Sequence, residues 1–249
     1  MDEKERHGIF INLKRGFLLI PALLLITAGW VQAQELKPIK LMDPDKKGGM
    51  PLMEALSLRA SVRSWSDKEI SRKDLSNLLW AADGINRPDG KRTAASAADA
   101  RDIDVYVFMK EGIYLYNAAD HVLNPVISGD YRNKTGMPEW IQSAAAPPGE
   151  AAPRGASGPP RNQDTNADIL ILLVSDIARI PLAPNDEVKL RWAAMDAAIV
   201  YQNIALFCAS AGLSARPRAL LSEEQIRGFL KLTKTQYPML NIPVGYAAE

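Results

Sequence analysis

Asp168-Ile-Leu-Ile-Leu-Leu-Val-Ser175 is the stretch that decides the fold. It is an unbroken apolar run of strand length between polar ends. Such a run predicts a strand buried on both faces at the centre of a sheet. A strand of that kind needs partners beside it and layers above and below it. The partners stand upstream. Ile103-Asp-Val-Tyr-Val-Phe108 alternates in polarity and reads as a strand. Glu111-Gly112 then turns the chain into a second strand, Ile113–Tyr116, so that the two form a hairpin. Met239–Tyr246 reads as a short final strand or extended tail.

The covering layers are helical. Pro51 begins a first helix, at a position where a helix start tolerates proline. Ser71-x-x-Asp74 stands ahead of Leu75, Leu78 and Leu79, a capping box before an i, i+3, i+4 apolar stripe, and predicts a helix over 72–82. Residues 186–211 carry the longest helical pattern, with Gly212 placed to stop it. Ser222-x-x-Gln225 opens another amphipathic helix, to about Leu232.

The chain begins with a three-part secretory pattern over 1–33. Lys14 and Arg15 end a polar region, Gly16–Ala28 is a short apolar run, and Val31-Gln32-Ala33 offers small residues for cleavage. The run falls short of the ~20 residues a membrane span needs. An exported, periplasmic protein is therefore expected, with no stable membrane insertion after cleavage; a tether by an uncleaved leader is the alternative. Lys14-Arg15-Gly16-Phe17-Leu18 also has a weak likeness to a twin-arginine export signal. Residues 34–50 read as an arm or tether, and 51–249 as one domain. Within it, 144–166 holds five prolines and no large hydrophobe, the composition of an inserted surface loop.

Composition narrows the chemistry. Thirty Lys+Arg against 29 Asp+Glu leave no basic field for nucleic acid. Two histidines, His7 and His121, and one cysteine, Cys208, supply neither metal-ligand spacing nor a disulfide. Two other stretches carry chemistry. In Arg59-Ala-Ser61-Val-Arg63 the alternate residues face one way if the chain is extended, so two guanidiniums and a hydroxyl converge. That group suits a phosphate dianion; a surface patch paired with Asp67 or Glu69 is the other reading. Farther on, Arg92-Thr-Ala-Ala95-Ser96-Ala97 places small residues after a basic one, just before a strand. Such a loop lets a flat ligand approach the backbone, or is a plain connection.

The order of these features resembles the nitroreductase-like flavoprotein superfamily. It is most similar to the branch of azoline-oxidising peptide dehydrogenases and their small relatives. The resemblance rests on RASVRSW, LLWAADGINRPDGKRTAASA, IDVYVFM with GIYLYN, VISGDYR, ADILILLVSD, the helix RWAAMDAAIVYQNIALFCASAGL and a terminal PVGY, and covers roughly 51–249. It implies an α+β fold, a mixed and mostly antiparallel central sheet flanked by helices, in an intertwined homodimer with FMN at each of two interface sites. Carried over, Arg59, Ser61 and Arg63 hold the FMN phosphate, ribityl chain and pyrimidine edge. Ala95, Ser96 and Ala97 reach the flavin of the other subunit. Arg218 falls in the segment lining the ring. The family usually has Pro where Ala95 stands and Gly near Ala219.

The same resemblance implies a ping-pong hydride transfer. The donor is NAD(P)H or, for an exported protein, another redox partner; the acceptor is a small planar molecule such as a nitroaromatic or quinone. An exported flavin-binding or flavin-free domain without turnover is the alternative. Trp192, Met195, Tyr201, Phe207 and Cys208 are read as core or dimer seam of the long helix, and His121 as part of a polar turn.

Overall fold

The strand at 169–176 lies third from one edge of a seven-stranded sheet. In the computed structural model the described residues are 35–136 and 167–248. The leader at 1–33 and the insertion at 144–166 lie outside them. The strands are β1 (Ile39–Lys40), β2 (Ile103–Phe108), β3 (Gly112–Asn117), β4 (Val122–Ser128), β5 (Ile169–Asp176), β6 (Ser214–Ala215) and β7 (Gln236–Gly245). Their order is β1-β4-β3-β2-β5-β7-β6, and every pairing is antiparallel. The described helices are α1 (Leu52–Leu58), α2 (Arg72–Asp83), α3 (Asp186–Ser210) and α4 (Glu223–Leu230). The fold is α+β, as the sequence implies.

Alternation along β5 explains its double burial. Ile169, Ile171 and Leu173 point into a core shared with Leu75, Leu78, Leu79 and Ala82 of α2 and with Ala197, Val200, Ile204 and Cys208 of α3. Leu170, Leu172 and Val174 point the other way, onto Ile226 and Leu230 of α4. Helices on both faces leave no position on β5 for a polar residue until Ser175. Ile171, Leu172, Leu173 and Val174 are fully enclosed. Burying each such side chain contributes about 1.5–3 kcal/mol.

The predicted hairpin pairs Tyr106 with Leu115 and Phe108 with Ile113. The chain continues through the His121 turn into β4, a third strand that the sequence reading did not anticipate. Asn124-Pro125 argues against a strand. The structure accommodates Pro125 where the β3–β4 register shifts between Ile113 and Tyr114. Pro238 is treated likewise. It lies opposite Val174 at a shift in the β5–β7 ladder, so β7 begins at Gln236, ahead of the expected Met239. Segment 35–50 is joined to the rest: Ile39 and Lys40 pair with β4, Leu41 is buried, and the Met50 N–H donates to Ser210 Oγ at 2.7 Å.

Helix α2 starts as predicted, with Ser71 Oγ accepting from the Asp74 N–H at 3.0 Å. At α4 the expected box does not form. Ser222 makes no side-chain cap; its N–H donates to Gly136 O at 2.9 Å, and the helix stops at Leu230 with Lys231 left-handed at φ 53°.

Candidate functional site

Helix α1 ends at Arg59, whose backbone turns away at φ −56°, ψ 115° while its N–H still donates to Ala55 O. Six residues later the chain is caught again. Trp65 is buried and bridges to Ala247, the Ser66 N–H donates to Tyr246 O at 3.0 Å, and the Ala248 N–H donates to Ser64 O at 3.1 Å. The Arg59–Arg63 stretch is thus a short span held at both ends. The terminal Gly245-Tyr246 segment is what fixes its far end.

Arg59 and Ser61 converge on one point, the phenol of Tyr201 on α3. Burial raises the Tyr201 pKa above its ordinary value; the Arg59 charge and hydrogen bonds from Ser61 and Arg59 act against that rise. Arg59 is half-buried, and Arg63 is exposed. Among the described residues no ion pair engages either arginine, so neither is tied to Asp67 or Glu69. The cluster presents cationic donors without an anion.

The second stretch is wired into the interior. Arg92 forms a close ion pair with Asp83 at the end of α2, and Arg87 Nη2 donates to Arg92 O. Burial pushes the Asp83 carboxyl up to about 7 despite Arg92. Gly84 permits this turn, because a Cβ there would stand 2.4 Å from the Trp80 ring. The chain then passes exposed Ala95 and half-buried Ser96 and Ala97 into a single 3₁₀ turn. Ala98, Asp99 and Arg101 all adopt positive φ, near 50°, a conformation costing a non-glycine residue about 1–2 kcal/mol. Three bonds offset that cost: the Arg101 N–H to Ser96 Oγ at 2.9 Å, the Arg101–Asp99 ion pair, and the Ala97 N–H to Asp196 Oδ2 at 2.8 Å. The N–H groups of Ala95 and Ser96 have no acceptor among the described residues.

Arg218 belongs to a separate knot. Its backbone pairs in both directions with Asn241 of β7, and its Nη2 donates to Asn241 Oδ1 at 2.9 Å. Asn241 is fully buried and bonds Thr135 in turn. Two of the seven candidate residues, Arg59 and Ser61, therefore meet at one phenol. Arg63 shares their span, and Ala95, Ser96 and Ala97 share the anchored loop.

Sequence reasoning did not single out Tyr201 or Asp196 as site residues, though helical spacing carries a signal. Ala193, Asp196, Ala197, Val200 and Ile204 form the buried stripe of α3, and an acid in an otherwise apolar stripe needs a reason. Of the other chemically active residues, Cys208 is enclosed and its thiol is pushed up by burial. His121 Nδ1 meets the Tyr116 hydroxyl at 2.9 Å in the β3–β4 turn. No group of three His, Cys, Asp or Glu among the described residues could hold a metal ion.

The model of the Nitroreductase family matches residues 56–246. A protein of Ralstonia eutropha, whose crystal structure is described as that of a nitroreductase, is 31% identical with a TM-score of 0.70; the match covers 86% of this chain and 91% of that one. A nitroreductase-named protein of Methanocaldococcus jannaschii is 24% identical over 225 residues, 88% of this chain and 97% of that protein. A structure from Anabaena variabilis superposes with a TM-score of 0.64 at 16% identity, covering 85% of this chain and 42% of that chain.

Proposed function

Because the chain belongs to the nitroreductase family, we propose that it is an FMN-dependent oxidoreductase that passes a hydride, in ping-pong order, from NAD(P)H or another reduced donor to a small planar acceptor. The oxidoreductase role follows from the family. FMN, the order of steps and the acceptor class, a nitroaromatic or quinone, are the proposal. So is the closer kinship with the azoline-oxidising branch.

The observation that carries the reading is the pair of arginines at 59 and 63, flanking a serine and left without carboxylate partners. A cation that no protein anion neutralises suits a phosphate, and Arg59 with Ser61 offers both charge and a hydroxyl donor at one place. The unpaired N–H groups of Ala95 and Ser96 suit the heteroatoms of a ring edge. These residues fit FMN, which when bound supplies the two-electron chemistry.

In this reading Arg59 holds the phosphate, Ser61 bonds the ribityl chain, and Arg63 lies at the pyrimidine edge, where its charge favours the anionic reduced state. Ala95, Ser96 and Ala97 leave room for the ring, contributed across a homodimer, and Arg218 falls in the segment lining the ring. The outer faces of α1 and α3 support the dimer. Leu52, Met53, Leu56 and Leu58 on one and Met195 and Ile199 on the other are exposed by 38–76%, an apolar surface suited to a partner. Export to the periplasm, with the leader at 1–33, is part of the same proposal, as is a donor other than NAD(P)H there.

The test is a titration of purified protein with FMN, followed by flavin absorbance. The expected outcome is one FMN per chain, bleached by a reductant and restored by a nitroaromatic or quinone. Protein that stays colourless and takes up no added FMN is the alternative, an exported domain without turnover.

A further inference from the structure

Two carboxyl groups lie buried beneath the 95–97 loop. Asp196 of α3 is 3% exposed, and Asp102, just before β2, is fully enclosed. One oxygen of each is accounted for: Asp196 Oδ2 accepts the Ala97 N–H, and Asp102 Oδ2 accepts the Ser175 hydroxyl of β5. The second oxygen of Asp102, Oδ1, is enclosed and receives no N–H or O–H from elsewhere in the described protein. Asp196 is within hydrogen-bonding reach of Asp102.

Two ionised carboxylates in contact without a cation cannot both persist in a buried place. The neighbouring cations are already engaged: Arg92 with Asp83 at the end of α2, Arg179 with Asp104 on β2, and Arg101 with Asp99 in the loop. The remaining acid nearby, Asp176 at the end of β5, also faces Arg179. One proton between the two acids resolves the conflict: it lets Asp196 donate to Asp102 and leaves Asp196 Oδ2 free to accept from Ala97.

We propose that Asp196 is a positioning residue: joined to Asp102 by one shared proton, it holds the Ala97 N–H, and with it the 95–97 loop, in the shape that receives the flavin ring. This inference rests on the reading of that loop as flavin-facing. The Ala97 N–H is the tie between the loop's small residues and the core. The positive-φ residues that follow make the loop's shape one that the backbone does not hold unaided.

The device is sensitive to pH. Burial pushes the Asp196 carboxyl up to about 7; the Ala97 N–H, which favours the charged form, works against that rise, and Asp102 adds to it. A carboxyl raised above its ordinary range stabilises the fold fully at acid pH. That contribution is lost as pH rises to and through about 7. Above that point two charges face each other away from water; their repulsion and desolvation outweigh the stronger bond that an ionised Asp196 makes to Ala97, so Asp196 moves into water and off Ala97.

The test is amide exchange at Ala97, followed by NMR on the FMN-free full chain and corrected for base catalysis, together with FMN affinity at the same pH values. Between pH 6 and pH 8, wild-type protection and FMN affinity each fall about tenfold, one pH unit past the transition. Asp196→Asn keeps a donor toward Asp102 and an acceptor for Ala97, so it holds both quantities level. Asp196→Leu loses protection at both pH values. Asp83→Asn leaves the wild-type pH dependence in place, which separates this group from the other raised carboxyl. Wild-type protection that does not change, or an Asp196→Asn variant that keeps the full pH dependence, overturns the shared-proton latch. Exchange that behaves as stated in a protein that binds no FMN leaves the latch standing and sinks the flavin reading instead. FMN binding that is indifferent to pH while exchange changes overturns the positioning role.

Discussion

The spans Arg59–Arg63 and Arg92–Arg101 are both short, basic and close to α3, yet they are built in opposite ways. The first is fixed through its ends, by α1 and by the ladder to Tyr246–Ala248, with Arg59 and Ser61 against the Tyr201 phenol and no protein anion paired with either arginine among the described residues. The second is fixed through its middle. Buried Asp83 holds Arg92, and buried Asp196 holds the Ala97 N–H. The difference matches what the proposed FMN reading asks of each. A cation offered to a phosphate must not already be satisfied, so its scaffold has to be backbone. A loop of alanines has no side chains to steer it, and its strained backbone takes its shape from acids reaching up from the core.

That contrast predicts where mutations act. The largest effect is expected in the wired span. Arg92→Ala leaves Asp83 enclosed without its cation, and unfolding free energy at pH 8 should drop by about 3 kcal/mol in denaturant melts. At pH 5 the loss should be clearly smaller. The Asp83 carboxyl, already near 7 with Arg92 present, rises further without it and is then neutral in the fold. Equal losses at both pH values would mean that the pair is not an enclosed one.

In the open span the effect moves from stability to binding. Arg59→Ala should weaken FMN binding by ~2 kcal/mol in a fluorescence titration, with unfolding free energy unchanged to within about 0.5 kcal/mol. An FMN affinity equal to wild type would remove Arg59 from the phosphate. Ser61→Ala should cost ~1 kcal/mol of FMN affinity in the same assay, the worth of one hydrogen bond. A loss matching that of Arg59→Ala would assign the serine a structural part. The smallest change is expected at Ala98, where glycine relieves a positive φ of 51° but loosens the unfolded chain. Thermal melts of Ala98→Gly should stay within about 0.5 kcal/mol of wild type. A large loss would show that the Ala98 side chain itself packs.

Residue order was enough for the elements whose pattern strongly favours one structure. The 169–174 run, of strand length and apolar throughout, reads as a strand buried on both faces, and it is one. The alternating 103–108 stretch with Glu111-Gly112 reads as a hairpin and the 186–211 pattern as a long helix, and both are present. The arginine–serine cluster stands out in the residue order, but with Asp67 and Glu69 close by the order leaves its partner open; the ion pairs of the described residues include neither arginine. Tertiary structure alone decided the rest. Pro125 and Pro238 obscure β4 and the start of β7, since a register shift, which depends on the neighbouring strand, tells whether a proline breaks a ladder or fits it. The Ser222 cap is another case: Gly136, far off in sequence, takes its N–H, and its side chain makes no cap. The Asp102–Asp196 contact is the strongest case, for the two acids are distant in sequence and ordinary in composition. Only their meeting beneath the 95–97 loop, away from water, makes two ordinary acids the pair from which the latch is proposed.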